Sequence, residues 1–110
     1  MAGRYVRLVS IWIHKGQEAA FEAFEREAVV RMAAHGGRID AAVRTSPTGL
    51  ATGPEDATPY EIHVVSFPDK AAMDAYASDP ATLVLQEKRA TIISLTLVMT
   101  GREAGPYAGS

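Results

Sequence analysis

Glu61 and His63 stand two residues apart in the segment PYEIHVVSFPD, residues 59–69, which is otherwise largely apolar. Successive side chains of a strand point to opposite faces, so a strand here puts Glu61, His63, Val65 and Phe67 on one face and Tyr60, Ile62, Val64 and Ser66 on the other. A carboxylate beside an imidazole orients the ring and raises its basicity. That makes His63 a candidate general base near neutral pH, with Glu61 as its orienting partner. The same spacing is also met by a packed histidine with one satisfied nitrogen and a glutamate solvated at the strand end.

Other side chains with chemical potential lie elsewhere in the chain. Trp12, the only tryptophan, offers a flat ring for stacking on an aromatic molecule, or equally for filling an interface. His14 follows it on the same strand face, and Ser10 precedes it. Ser94 and Thr96 supply hydroxyls near the C-terminus, and Arg44 carries a guanidinium suited to a carboxylate or phenolate, although edge-strand arginines also serve solubility. The three histidines show no ligand spacing typical of a helix or hairpin, so no metal site is expected. No glycine pattern follows a strand and opens a helix as nucleotide binding requires, and no serine sits in a nucleophile elbow.

The elements that must position these residues follow from periodicity. Residues 4–14 are rich in β-branched and aromatic types and end at Lys15-Gly16, which predicts a first strand. Phe21, Phe24, Ala28 and Met32 recur at helical spacing within residues 17–35, and Gly36-Gly37 supplies a stop. Glu22 with Arg26 and Glu27 with Arg31 are outer-face pairs of that helix. Residues 38–45 alternate as a shorter strand with one polar face, suited to a sheet edge. Residues 46–58 collect Gly, Pro, Ser and Thr and read as a loop. Residues 60–67 form the third strand. Asp69 and Asp79-Pro80 then each start a helix, with Met73, Tyr76, Leu83 and Leu85 following. Residues 91–100 form the last strand, and residues 101–110 read as a flexible tail.

Composition narrows the function classes. A chain of 110 residues suits one domain, and thirteen acidic against eleven basic residues leave no basic stripe for nucleic acid. The absence of cysteine excludes disulfides and thiolate chemistry. The apolar run near the N-terminus is too short for a membrane span and is interrupted by Arg7, so no membrane association is expected, and a cytoplasmic location is.

The order strand, helix, strand, strand, helix, strand matches the split βαβ plan, an α+β ferredoxin-like fold with a four-stranded antiparallel sheet and both helices on one face. Alternation is then expected to turn Val9, Ile11, Ile13, Ile62, Val64, Ile93, Leu95 and Leu97 toward the helices. The opposite face would carry Leu8, Ser10, Trp12, His14, Glu61, His63, Val65, Phe67, Ile92, Ser94, Thr96 and Val98. That face is too apolar to stay uncovered, and two-fold pairing with the same face of another copy is the simplest cover, giving a homodimer that encloses a barrel-like space.

The stretches IWIHKGQEAAFEAFEREA, PYEIHVVSFPDKAAMDAY and SDPA resemble the dimeric α+β barrel superfamily over nearly the whole chain. Within it the sequence is similar to small uncharacterised bacterial barrel domains and, more distantly, to the antibiotic biosynthesis monooxygenases. The latter resemblance implies cofactor-independent chemistry, in which deprotonating an aromatic or polyketide-like substrate gives a carbanion that reacts with dioxygen. On that reading His63 removes the proton and Glu61 orients it, Trp12 stacks the ring, and Ser94 or Thr96 holds an oxygen. The third strand lacks the Asn-Trp pairing such enzymes often carry. The superfamily equally implies a non-catalytic ligand-binding or accessory protein, and its haem-handling members would require an axial ligand near the pocket.

Overall fold

The computed structural model describes residues 3–46 and 57–107. The elements run β1 (Tyr5–Ile13), α1 (Glu18–Ala33), β2 (Arg38–Arg44), β3 (Glu61–Phe67), α2 (Lys70–Ser78), α3 (Pro80–Gln86), α4 (Arg89–Ile92) and β4 (Ile93–Arg102). All pairings are antiparallel and the strand order is β2-β3-β1-β4. This is the ferredoxin-like α+β plan expected, with the second helical segment broken into three and β2 at an edge. Of the 46–58 loop, residues 47–56 lie outside the described residues. β4 continues through Arg102, two residues into the stretch read as tail; residues 108–110 are outside the description.

Local chemistry explains the helix boundaries. The apolar stripe of α1, Phe21, Phe24, Ala28 and Met32, is fully buried. Its end turns through Gly36 at φ +72°, where the Gly36 and Gly37 amides donate to the Ala33 and Met32 carbonyls at 3.1 and 2.9 Å. Gly37 is needed for a second reason: a Cβ there would overlap the buried Phe67 ring. Asp69 caps α2 by accepting from the Ala72 amide at 2.8 Å, worth about 1 kcal/mol. Asp79 caps α3 by accepting from the Ala81 amide at 2.9 Å, with Pro80 in the first turn. The His35 amide donates to the Met32 carbonyl at 2.9 Å, and its imidazole reaches Asp79 at 2.7 Å, tying the end of α1 to the α2–α3 joint. Of the outer-face pairs, Glu22 meets Arg26 at 3.7 Å, whereas Glu27 lies 3.5 Å from Lys88. Leu85 is buried and Leu83 is exposed.

The sheet corrects the assignment of faces. Cross-strand partners share a face, and Val9 pairs with His63 and Val98, while Ile11 pairs with Glu61 and Thr96. Glu61, His63, Val65, Phe67, Thr96 and Val98 therefore share the helix side with Val9 and Ile11, not the opposite side. Ile62, Val64, Leu95 and Leu97 lie outward with Leu8, Ser10 and Trp12. In β3 both alternating sets are largely apolar, so periodicity did not say which set faces in. In β4 the cause is an irregularity: the partner of Ile13 is Ile93 but that of Trp12 is Leu95, leaving Ser94 as an extra residue. One inserted residue keeps Ile93 inside and sends Leu95 and Leu97 out. A similar shift between Ile39 and Ala41 places Ile39 inward and Val43 outward. Ile92 is not in a strand; it closes α4 and is buried.

The core under the helices is two clusters. One gathers Ile11, Phe21, Phe24, Ala28, Leu85, Ile92 and Ile93; the other gathers Met32, Val65 and Phe67, and Val9 packs against both. Because the Phe67 ring occupies the space beside Gly37, Gly37→Ala should lower stability by about 1–3 kcal/mol, read from urea midpoints. Gly101→Ala, whose Cβ meets open space, should leave the midpoint within ~0.5 kcal/mol of wild type.

Candidate functional site

His63 occupies the middle of the sheet, opposite Val9 of β1 and Ala42 of β2, where α1 crosses above it. It is only 4% exposed, and Glu61 is 8% exposed. A polar pair this deep needs partners, and it has them. His63 Nε2 lies 2.5 Å from Glu61 Oε2. The other carboxylate oxygen of Glu61 accepts from Arg44 Nη2 at 2.9 Å and Nε at 3.2 Å. Arg44 also donates to Glu22 at 3.2 Å and lies over the Tyr60 ring at 4.8 Å. Phe21 stacks near the imidazole, its centroid 6.3 Å away. With Glu61 accepting from Nε2–H, the nitrogen left to accept a proton is Nδ1.

Nδ1 faces a carboxyl that periodicity alone did not bring forward. Glu25 Oε2 stands 3.9 Å from it, an ion-pair distance too long for a hydrogen bond. Burial pushes the Glu25 carboxyl above the ordinary glutamate range and the Glu61 charge pushes the same way, against His63 and Arg89. Its signal was in the sequence: 21, 25, 28 and 32 form one helical stripe, and Glu25 is the acidic member of an otherwise apolar set.

His63 and Glu25, but not Glu61, form part of the wall of a cavity of about 350 Å³ between sheet and helices, at the junction of the two core clusters. The volume is within the range of small-molecule sites. Val65, Phe67 and Thr96, expected near a ligand, line it, and Thr96 accepts from Arg89 at 2.8 Å. Tyr76 lines it too, and burial raises its hydroxyl pKa, followed by the Glu25 charge.

The remaining expected site residues are not brought there. Ser10 lies on the outer sheet face and Ser94 is the exposed extra residue of β4. Trp12 and His14 border a separate groove at the sheet end with Arg44 and Tyr60. His14 is engaged structurally, donating from Nε2 to the Ala90 carbonyl at 3.0 Å. Arg44 reaches the site only through Glu61. Among the described residues, no group of three or more His, Asp and Glu is arranged to hold a metal ion, and no helix is long and apolar enough to cross a membrane.

The fold defines a class of structures: the chain has the ferredoxin-like α+β architecture of antibiotic biosynthesis monooxygenase-like and DABB-type proteins. A protein of unknown function from Rhodopseudomonas palustris matches at TM-score 0.82 and 15% identity, covering 96% of this chain and 86% of that one. A putative antibiotic biosynthesis monooxygenase from Nitrosomonas europaea matches at TM-score 0.72 and 13% identity, covering 96% and 95%. A DABB family protein from Mesorhizobium loti matches at 0.66 and 16%, covering 94% and 99%. No protein-family model matches the sequence, and no curated protein does. At these identities the likeness is one of fold.

Burial raises the Glu25 pKa in the folded state, so its ionisation opposes folding once pH exceeds the unfolded value, and fully so above the folded one. Glu25→Gln should therefore raise the urea midpoint at pH 7, and the gain should shrink as pH falls toward the ordinary glutamate range. A gain that persists unchanged at pH 4 would contradict this.

Proposed function

We propose that the protein is a cytoplasmic homodimer that binds a small molecule in each helix–sheet cavity and acts on it as a cofactor-independent, monooxygenase-like enzyme. The substrate is aromatic or polyketide-like. One observation carries the reading: a buried imidazole, held at Nε2 by Glu61 at 2.5 Å, lines a cavity of about 350 Å³ with Nδ1 free of any close hydrogen bond. Nδ1 takes the proton of an acidic C–H, and Glu61 stabilises the imidazolium as a carboxylate does beside a catalytic histidine. The carbanion's electron pair adds to dioxygen, and loss of water from the resulting hydroperoxide leaves a carbonyl, so that CH2 and O2 become C=O and H2O. Thr96, Val65 and Phe67 form the wall against which the substrate lies. The putative monooxygenases of the same fold make this class of chemistry the one to test.

Glu25 favours a second reading. Its carboxyl stands on the side from which a substrate would approach Nδ1, which suits a non-catalytic ligand-binding or accessory protein. Anthrone, a three-ring compound with an acidic CH2, separates the two. Wild type should accelerate its oxygen-dependent conversion to anthraquinone, and His63→Ala should reduce the rate at least about hundredfold with the circular dichroism spectrum unchanged. Binding without any acceleration would leave the accessory reading standing.

The dimer rests on the outer sheet face. Leu8, Leu95, Leu97 and Met99 are exposed there beside Trp12 and Val64, with Leu97 at 58% and Met99 at 65%. A contiguous apolar face of this kind marks an interaction surface. Light scattering at micromolar concentration should give the mass of two chains, and Leu97→Lys should give one. A folded wild type of single-chain mass would overturn the assignment.

A further inference from the structure

Two polar groups in the cavity wall have no partner among the described residues. The Nε of Arg7 and the hydroxyl of Thr82 are buried without a hydrogen bond, and both residues line the cavity that holds His63. Thr82 is 1% exposed. A buried donor left unpaired is costly, and a charged one more so, so each such group calls for a partner.

We propose that the cavity is built for an amphipathic anion, a ring body lying against Met32, Val65, Phe67 and Met73 with a carboxylate held by Arg7 and a second bond supplied by Thr82. This rests on the cavity reading above but not on its catalysis.

The charges in the wall agree with it. Glu61 is not part of the wall, so the acid there is Glu25, whose carboxyl burial drives toward the neutral form. Against it stand Arg7 and Arg89, both in the wall. The Arg7 charge acts on the Tyr76 hydroxyl, which burial keeps protonated and able to donate. An anion entering this space meets two guanidinium groups against one carboxyl, with Met32, Val65, Phe67 and Met73 as an apolar surface beside them. A neutral ring would satisfy the apolar wall and leave Arg7 as it is.

The test uses two probes of one shape, 2-naphthoate and 2-naphthamide, with affinities from calorimetry and location from the methyl NMR signals of Met32 and Met73. Wild type should bind the acid about tenfold more tightly than the amide, the scale of a charge-assisted hydrogen bond in a protected site. Arg7→Gln should abolish that preference, the acid losing far more affinity than the amide, and Thr82→Val should weaken the acid by about threefold. Arg7→Lys, which keeps the charge, should retain part of the preference and serves if the glutamine variant does not fold. Equal affinities in wild type, a preference that survives Arg7→Gln, or binding that leaves both methionine signals unmoved would each overturn the proposal. Acid-selective binding at the methionines in a protein that does not oxidise anthrone would uphold it and defeat the enzymatic reading alone.

Discussion

Three side chains in series, Arg44, Glu61 and His63, constrain this molecule more than any single apolar contact. A carboxylate as buried as Glu61 is tolerated when its oxygens are occupied, and here one oxygen takes Arg44 and the other takes His63. Each bond crosses an element boundary or fixes a rotamer. Arg44 joins the edge strand β2 to β3, and through Glu22 it reaches α1. Through these bonds the series links α1 to the sheet and holds the imidazole in one orientation. The position of Nδ1 against the cavity follows from that orientation.

The sheet has two faces with opposite tasks. Its helix side mixes apolar walls with a polar cluster and leaves a gap where two core clusters meet at Val9. Its outer side is a largely apolar surface from Leu8 and Trp12 to Leu97 and Met99, with Ser10 among them. The irregularity at Ser94 separates the two tasks in β4: were Ser94 paired in regular register opposite Trp12, Leu95 and Leu97 would turn inward and fill the gap, while Thr96 would face out. A one-residue irregularity thus decides both the polarity of the cavity and the apolarity of the opposite surface.

Structures of the same fold include proteins of unknown function as well as putative monooxygenases, so the architecture leaves the chemistry to particular side chains. Here those are an imidazole braced from one side, a carboxyl pushed toward neutrality on the other, and two donors with no partner deeper in the same wall. On the proposed reading, together they make a space that discriminates by charge at one point and by shape elsewhere.

The fold was legible in the sequence because it rests on signals that are local. The stripe of Phe21, Phe24, Ala28 and Met32, the capping aspartates 69 and 79, and the Gly36-Gly37 stop each act within a few residues of themselves. So was the Glu61–His63 pair, since a two-residue spacing on a strand puts both on one face whichever face that is. Which face it is depends on partners distant in the chain. Strand alternation is symmetric between two apolar sets, and a single inserted residue at Ser94 reverses it without a trace in composition. The same holds for the cavity residues: Arg7, Glu25, Thr82 and Arg89 come from β1, α1, α3 and α4 and acquire their meaning only when the helices fold onto the sheet and take them out of water. Residue types and periodicity determined the elements and their order; burial, which no short stretch of chain possesses alone, decided which of their side chains form the site.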